Sequence, residues 1–258
     1  MTGARLVWHQ FRYDQRTFWR EPTAVFFTVV LPVTFLVIFA SIFGNDPALF
    51  HGRLIRGTTY YVPGIVTLGL VTATFVNIAI SLVIARERGI LKRVRGTPLP
   101  MWVYLAGRVL TSIVVALLLT SVLVLIGRLA YGVSVPTGTL PGALLAIVLG
   151  AATFCALGFA MAGAIPSESA GPPLTNAICL PLFFISGLFV QSGDTPEAMR
   201  RVADLFPVKP LFEALLTAFD PATAAPGIAG RELAVVALWG VGALLVALKT
   251  FRWVPRGE

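Results

Sequence analysis

Six apolar runs, from 17 to 29 residues long, dominate a chain of 258 residues. They fall at about Val25–Phe43, Tyr60–Ile84, Met101–Leu129, Leu140–Ile165, Leu174–Val190 and Leu233–Phe251. A helix that crosses the hydrocarbon layer of a bilayer needs roughly 20 mostly apolar residues. Backbone in that layer must satisfy its own hydrogen bonds, so runs of this kind fold as spanning helices. The expected class is an all-α integral membrane protein with six transmembrane helices in a single domain over residues 1–258. Pro181 lies in the fifth and shortest run and predicts a kink there.

Charge agrees with this class. Only 12% of residues are charged against 57% hydrophobic, too little charge to cover a soluble domain of this size. A net charge of +8 in a soluble protein would point to nucleic acid. Here the basic residues cluster at the ends of apolar runs, where they orient the chain, and no nucleic-acid partner is expected. With the N-terminus inside, thirteen of the 20 Lys and Arg residues fall on the cytoplasmic side, mainly before the first run and between the second and third. Both termini are therefore expected in the cytoplasm. The first apolar run exceeds the ~7–15 residues of a signal peptide and has no A-x-A site, so it reads as retained. Cys155 and Cys179 lie within apolar runs and read as buried thiols.

Three connecting segments carry their own pattern. Residues 5–21 mix Leu6, Trp8, Phe11, Phe18 and Trp19 with four arginines, which predicts a helix in the headgroup layer contacting membrane lipids. Residues 86–97 form a basic insert. Ile90, Leu91 and Val94 stand at helical i, i+1, i+4 spacing, with Lys92, Arg93 and Arg95 on other faces, before Thr97-Pro98 stops the pattern. A small helix beneath the membrane, open to a cytoplasmic partner, follows; a loop binding anionic lipid, at about 1 kcal/mol per basic residue, is the other reading. On the opposite side, Asp194-Thr195-Pro196-Glu197 reads as an N-cap opening a helix. A second apolar face follows Pro207 and Pro210, so residues 195–219 predict two helices too short to cross, dipping into the outer leaflet or lying on it.

Several chemistries lack their residues. The chain has no Gly-Lys pair and hence no phosphate-cradling G-x-x-x-x-G-K-[ST] loop, so it is expected to bind no nucleotide of its own and not to be an enzyme. No metal-ligand spacing occurs. No run carries an acidic residue or histidine near its centre, where ion-driven carriers place such groups. For a substrate path the candidates are Thr67, Thr74, Asn77 and Ser81, which share about 80° of one helical face, and Phe183, Phe184 and Ser186 in the fifth run. The same residues also suit interhelical packing. Ala152, Ala156 and Ala160 permit a close helix approach within the chain.

The order of motifs resembles the membrane subunit of type-2 ATP-binding-cassette exporters, a class that includes bacterial drug and antibiotic efflux permeases. Arg20-Glu21-Pro22 with Leu31-Pro32 resembles that family's entry into its first span. Glu87-Arg88-Gly89 through Lys92-Arg93 to Thr97-Pro98-Leu99 resembles its cytoplasmic loop, and Ile185-Ser186-Gly187-Leu188-Phe189 the end of its fifth span. Phe206-Pro207 through Glu213-Ala214-Leu215 is similar to its external re-entrant pair, although Leu216 stands where an arginine commonly follows. The resemblance implies a coupling helix in the basic insert, formed by Glu87, Arg88, Gly89, Ile90, Leu91, Arg93, Val94 and Arg95, and a re-entrant element including Pro207 and Glu213. It also implies partners: two cytoplasmic ATPase subunits that bind ATP and Mg, and a second permease, either an identical copy or a related chain. The expected setting is the bacterial inner membrane and the expected cargo a hydrophobic or amphipathic small molecule. A lipid-linked glycan, lipid or peptide is the alternative cargo, and a non-transport scaffold or sensor the alternative class.

Overall fold

The computed structural model describes residues 3–43, 46–50, 53–133, 137–189 and 197–250, with side chains at all but residues 48, 49, 53, 95, 101, 197, 200 and 250. The expected N-cap at 194–196 and the expected span ends at Val190 and Phe251 lie outside the described residues.

Helix α1 (Gly3–Trp19) leads through Arg20 and Glu21 into α2, which Pro22 opens at its first turn. Helix α2 runs to Phe43 and contains a wide π turn at Phe26–Val30, just before Pro32. A proline cannot donate to the preceding turn, and the ladder widens there. A two-stranded antiparallel hairpin follows, β1 (Pro47–Phe50) on β2 (Arg53–Arg56), with Pro47 opposite Arg56. Helix α3 (Gly57–Glu87) has a second π turn at Thr72–Val76, where the Thr72 and Thr74 hydroxyls donate to the carbonyls of Leu68 and Leu70. Next come the six-residue α4 (Ile90–Arg95), α5 (Met101–Tyr131), α6 (Leu140–Ala164) and α7 (Gly171–Ile185). The chain continues with α8 (Glu197–Leu205), α9 (Val208–Phe219) and α10 (Gly230–Thr250). Gly132, at φ 65°, ends α5 in a left-handed turn; its N–H and that of Val133 donate to the Arg128 and Gly127 carbonyls.

Among the described residues, five helices are long and apolar enough to cross a bilayer: α2, α3, α5, α6 and α10. The expected fifth span is a shorter apolar helix, α7, of 15 residues. Its contacts still cover much of the bundle. Gly171 lies beside Ile80, and the Gly187 carbonyl beyond its end accepts from Tyr60 of α3, twenty positions away. Large apolar side chains face outward on the peripheral helices, with Leu129 77% and Leu248 75% exposed. Such surface is unfavourable in water and suits lipid or a protein partner.

Helix α3 is the axis of the bundle, and every residue of Gly57–Val71 is buried. It runs antiparallel to α5: a Cβ at Gly127 would touch Val62, one at Gly69 would overlap Leu119, and Ser81 meets Arg108. Close approaches to α6 use glycines. Gly158 packs on the Phe75 carbonyl and Ile78, while Leu211 fills the space at Gly150. The expected Ala152, Ala156 and Ala160 stripe is split: Ala156 is buried, Ala160 half-buried and Ala152 exposed. Close packing inside the bundle thus falls on the glycines, which have no Cβ to hold the backbones apart.

Helix α1 runs beside α5, in the same direction. Gly3 meets Trp102, Gln10 meets Gly107, Gln15 donates to the Thr111 carbonyl, and Phe18 clusters with Val115. Its arginines Arg5, Arg12 and Arg16 face outward, as do Trp8 and the Arg20 that follows the helix. At 31 residues, α5 is about 46 Å long, longer than a ~30 Å hydrocarbon layer, so its first turns have room for a companion helix outside that layer.

Candidate functional site

The end of the bundle that carries α4 concentrates the polar contacts. Gly89, at φ 67° with no atom within 4 Å of a would-be Cβ, turns the chain from α3 into α4. Only a glycine adopts that conformation without strain. Leu91 is fully buried, packed in a cluster with Leu82, Tyr104, Phe159 and Ile165, and Val94 is half-buried against it. The expected apolar face of Ile90, Leu91 and Val94 is therefore divided, because Leu91 roots the helix in its own bundle and cannot meet a partner. Ile90, Lys92 and Arg93 remain exposed.

Two arginines fasten this elbow. Arg86, 2% exposed, donates from Nη1 to the Ala162 carbonyl at 3.0 Å and from Nη2 to those of Ile165 and Pro166 at 2.7 and 3.5 Å. Its Nε donates to Glu87 Oε1 at 2.9 Å. These carbonyls close the C-terminal end of α6, where the helix leaves acceptors unpaired and the dipole is negative. Arg88 donates to both carboxylate oxygens of Glu168, at 2.6 and 3.3 Å, in the loop from α6 to α7. That carboxylate raises the Arg88 pKa above its already high value.

A second polar seam joins α1, α3 and α5. Arg108 donates to Ser81 Oγ and to Tyr104 Oη, both at 2.8 Å. Asp14 of α1 is buried, accepts from the Gln10 amide at 3.0 Å and feels the charge of Arg108. Burial pushes its carboxyl pKa up, against smaller downward effects of Arg108 and Gln10.

The expected path residues separate. Thr67 and Thr74 are buried, and their hydroxyls donate to the Pro63 and Leu70 carbonyls of their own helix. Ser81 serves the Arg108 seam. Asn77 alone of the four is half-buried with no side-chain hydrogen bond among the described residues. In and beyond α7, Phe183 and Ser186 are buried, while Phe184 is exposed with its ring 5.3 Å from that of Phe189. Phe189 in turn meets Phe35 and Phe39 of α2.

At the opposite end, α9 lies inside the bundle. Pro207 is buried at its start, and its carbonyl accepts from the Leu211 N–H. Lys209, 5% exposed, pairs with Asp204 and lies 3.8 Å from Glu213. Leu216 is buried in the apolar core. Helix α8 keeps Met199, Val202 and Leu205 exposed, and its last carbonyl accepts from the Trp239 indole.

Sequence reasoning missed Arg86, Arg108, Asp14 and Glu168 as members of a site. No cluster of three metal-ligating side chains occurs among the described residues.

Several long apolar helices, with a short basic helix between two of them, mark a multi-pass membrane protein. The family model of ABC-2 type transporters matches residues 5–219, and the chain belongs to that family. It is a permease, the membrane subunit of an ABC transporter and not a catalytic domain, and the family implies partnership with an ABC ATPase subunit. A comparison with curated proteins finds no match.

Proposed function

We propose that this chain is the permease subunit of an ATP-driven exporter in the bacterial inner membrane, with six spans and both termini in the cytoplasm. It moves hydrophobic or amphipathic small molecules, of the drug and antibiotic class, out of the cell. In this reading α4 is the coupling helix and seats in the ATPase subunit. ATP and Mg are bound by that subunit, and the machine holds two ATPases and two permeases.

The observation that carries the reading is the construction of α4. A left-handed glycine sets it off from α3, Leu91 anchors it, and Ile90, Lys92 and Arg93 are left outward. A loop that only joined two spans needs neither the anchor nor the turn. An apolar residue ringed by cations suits a mixed apolar and acidic cleft, where charge sets the approach and the apolar contact adds affinity. For cargo, the bundle interior lacks acidic groups near mid-span, and Asn77 with the Phe184–Phe189 ring pair are the path candidates not committed to helix packing.

The test is copurification. The tagged chain, extracted in mild detergent from its host, is expected to bring down a stoichiometric ATPase bearing a Walker A motif. Ile90→Asp combined with Arg93→Glu, at two exposed positions, is expected to cut that recovery at least tenfold without lowering the yield of folded permease. Recovery of the wild-type chain with no ATPase, repeated after cross-linking, would remove the coupling role and favour a scaffold.

A further inference from the structure

We propose that Arg86 is the positioning residue that transmits movement of α4 to α6 and α7. The inference rests on the coupling role proposed for α4. Movement imposed on a six-residue helix is useful only if it reaches the spans beside the cargo. Direct connection runs back along α3 and forward into α5, but α7 carries Phe184 and is three elements further along the chain. The structure contains a bridge between them.

Arg86 is the last arginine of α3 before the Gly89 turn, and its guanidinium holds three carbonyls at the end of α6. Only five residues, 165–169, separate the end of α6 from Ala170, which caps α7. Pro166 prevents α6 from continuing. The clasp therefore grips the short segment that sets both the end of α6 and the start of α7. Leu91 of α4 and Ile165 of this segment share one apolar cluster, so polar and apolar contacts join the same two pieces. Arg88 and Glu168 repeat the connection on the exposed side.

The chemistry requires arginine. A planar fork of five N–H donors can serve several carbonyls and Glu87 together, whereas a lysine offers one compact ammonium and cannot span them. Arg86 is nearly fully buried, so it is unsuited to contact with an ATPase or with lipid headgroups. Its place near the basic insert reflects transmission, not docking.

The experiment uses the permease with its ATPase in nanodiscs. Spin labels are placed at Thr97→Cys, an exposed position held to the end of α4 and outside its docking residues, and, in a separate sample, at Ile178→Cys on α7, each against a second label at Leu245→Cys on α10. Distances are measured without nucleotide and with ATP plus vanadate. In the wild-type background both labels are expected to shift. In Arg86→Lys the α4 shift and ATPase retention are expected to persist while the α7 shift falls by half or more. Arg88→Glu is expected to reduce the α7 shift less, and Arg88→Glu with Glu168→Arg to restore it. An unchanged α7 shift in both Arg86→Lys and Arg86→Ala overturns the proposal. So does an equal loss of both shifts, which would make Arg86 a fold residue only. Absence of any α4 shift or bound ATPase in the wild type defeats the coupling role itself, a result distinct from failure of the Arg86 clasp.

Discussion

Two short helices, α4 and α9, sit at opposite ends of the same bundle and are treated in opposite ways. Helix α4 buries Leu91, half-buries Val94 and leaves its cations Lys92 and Arg93 on the surface. Helix α9 buries ten of its twelve residues, from Val208 through Lys209 to Phe219. The difference lies in how apolar residues are distributed around each axis. A narrow apolar edge docks a helix on the surface; the wide apolar arc of α9, broken only on the face of Lys209, Glu213 and Thr217, draws it inside. Position in the bundle follows, since α9 wedges against α3, α6 and α10 while α4 rests on the ends of α3 and α5. One end buries its short helix almost whole, and the other leaves half of its short helix on the surface.

The largest expected effect tests the first half of that contrast. Leu211 of α9 is fully buried, and its two methyl carbons occupy the groove opened by Gly150, where a Cβ would come within 2.7 Å of Cδ1. Leu211→Ala leaves a cavity there and is expected to cost about 2–5 kcal/mol. Thermal unfolding of the detergent-purified chain should show it, while ATPase recovery per folded molecule stays at the wild-type level. Lost recovery with unchanged stability would reverse the roles assigned to the two ends.

A smaller effect is expected at the α4 end. Gly89→Ala meets no neighbouring atom, so its cost is that of the left-handed backbone alone, about 1–2 kcal/mol. Relieving that strain re-aims α4. ATPase recovery should therefore fall by more than the unfolding temperature alone accounts for. A loss of stability with full recovery would mean that the direction of α4 is immaterial to docking.

How far this contrast could be read in advance depended on what kind of atom makes each contact. Spans announce themselves through long apolar side-chain runs, and α2, α3, α5, α6 and α10 lie within a few residues of expectation. The α9 helix was legible because Pro207 and the run Leu211, Phe212, Leu215, Leu216 form a pattern of side chains. Arg86 was not, because its acceptors are backbone carbonyls at 162, 165 and 166, which leave no trace in residue identity. It was counted with Arg88, Lys92 and Arg93 as one block of cytoplasmic charge. The hydroxyls of Thr67 and Thr74 failed for the same reason, since their partners are carbonyls one turn back. Six residues are too few for periodicity to say which apolar side chain of α4 turns inward. The course of α1 along α5 was hidden because an aromatic and arginine mixture reads alike in either placement. Its only marks were Gly3 and Gly107, where side chains from the neighbouring helix fill the space.

The smallest expected effect concerns α1, the companion of the α4 end, and is one of pH. Asp14 is buried against α5 beside Gly107, and Oδ2 has no hydrogen-bond partner among the described residues. Burial favours the neutral carboxyl, and the pull of Arg108 and Gln10 in the other direction is smaller, so the docked pKa lies above 3.8. A raised folded-state value means that docked α1 binds the proton better than free α1 does. Protonation therefore strengthens docking; the full benefit is present below 3.8 and is lost as pH rises through the docked value. Hydrogen exchange of the α1 amides in nanodiscs, corrected for the intrinsic pH dependence, should show protection falling as pH rises across that window. Asp14→Asn keeps the shape and the bond to Gln10 without the charge, so its α1 should stay protected and flat with pH. Helix α9, packed chiefly by apolar side chains, should show no such slope in either protein. A matching slope in α9 would mean that the whole bundle responds to pH, and Asp14 would no longer separate the two ends.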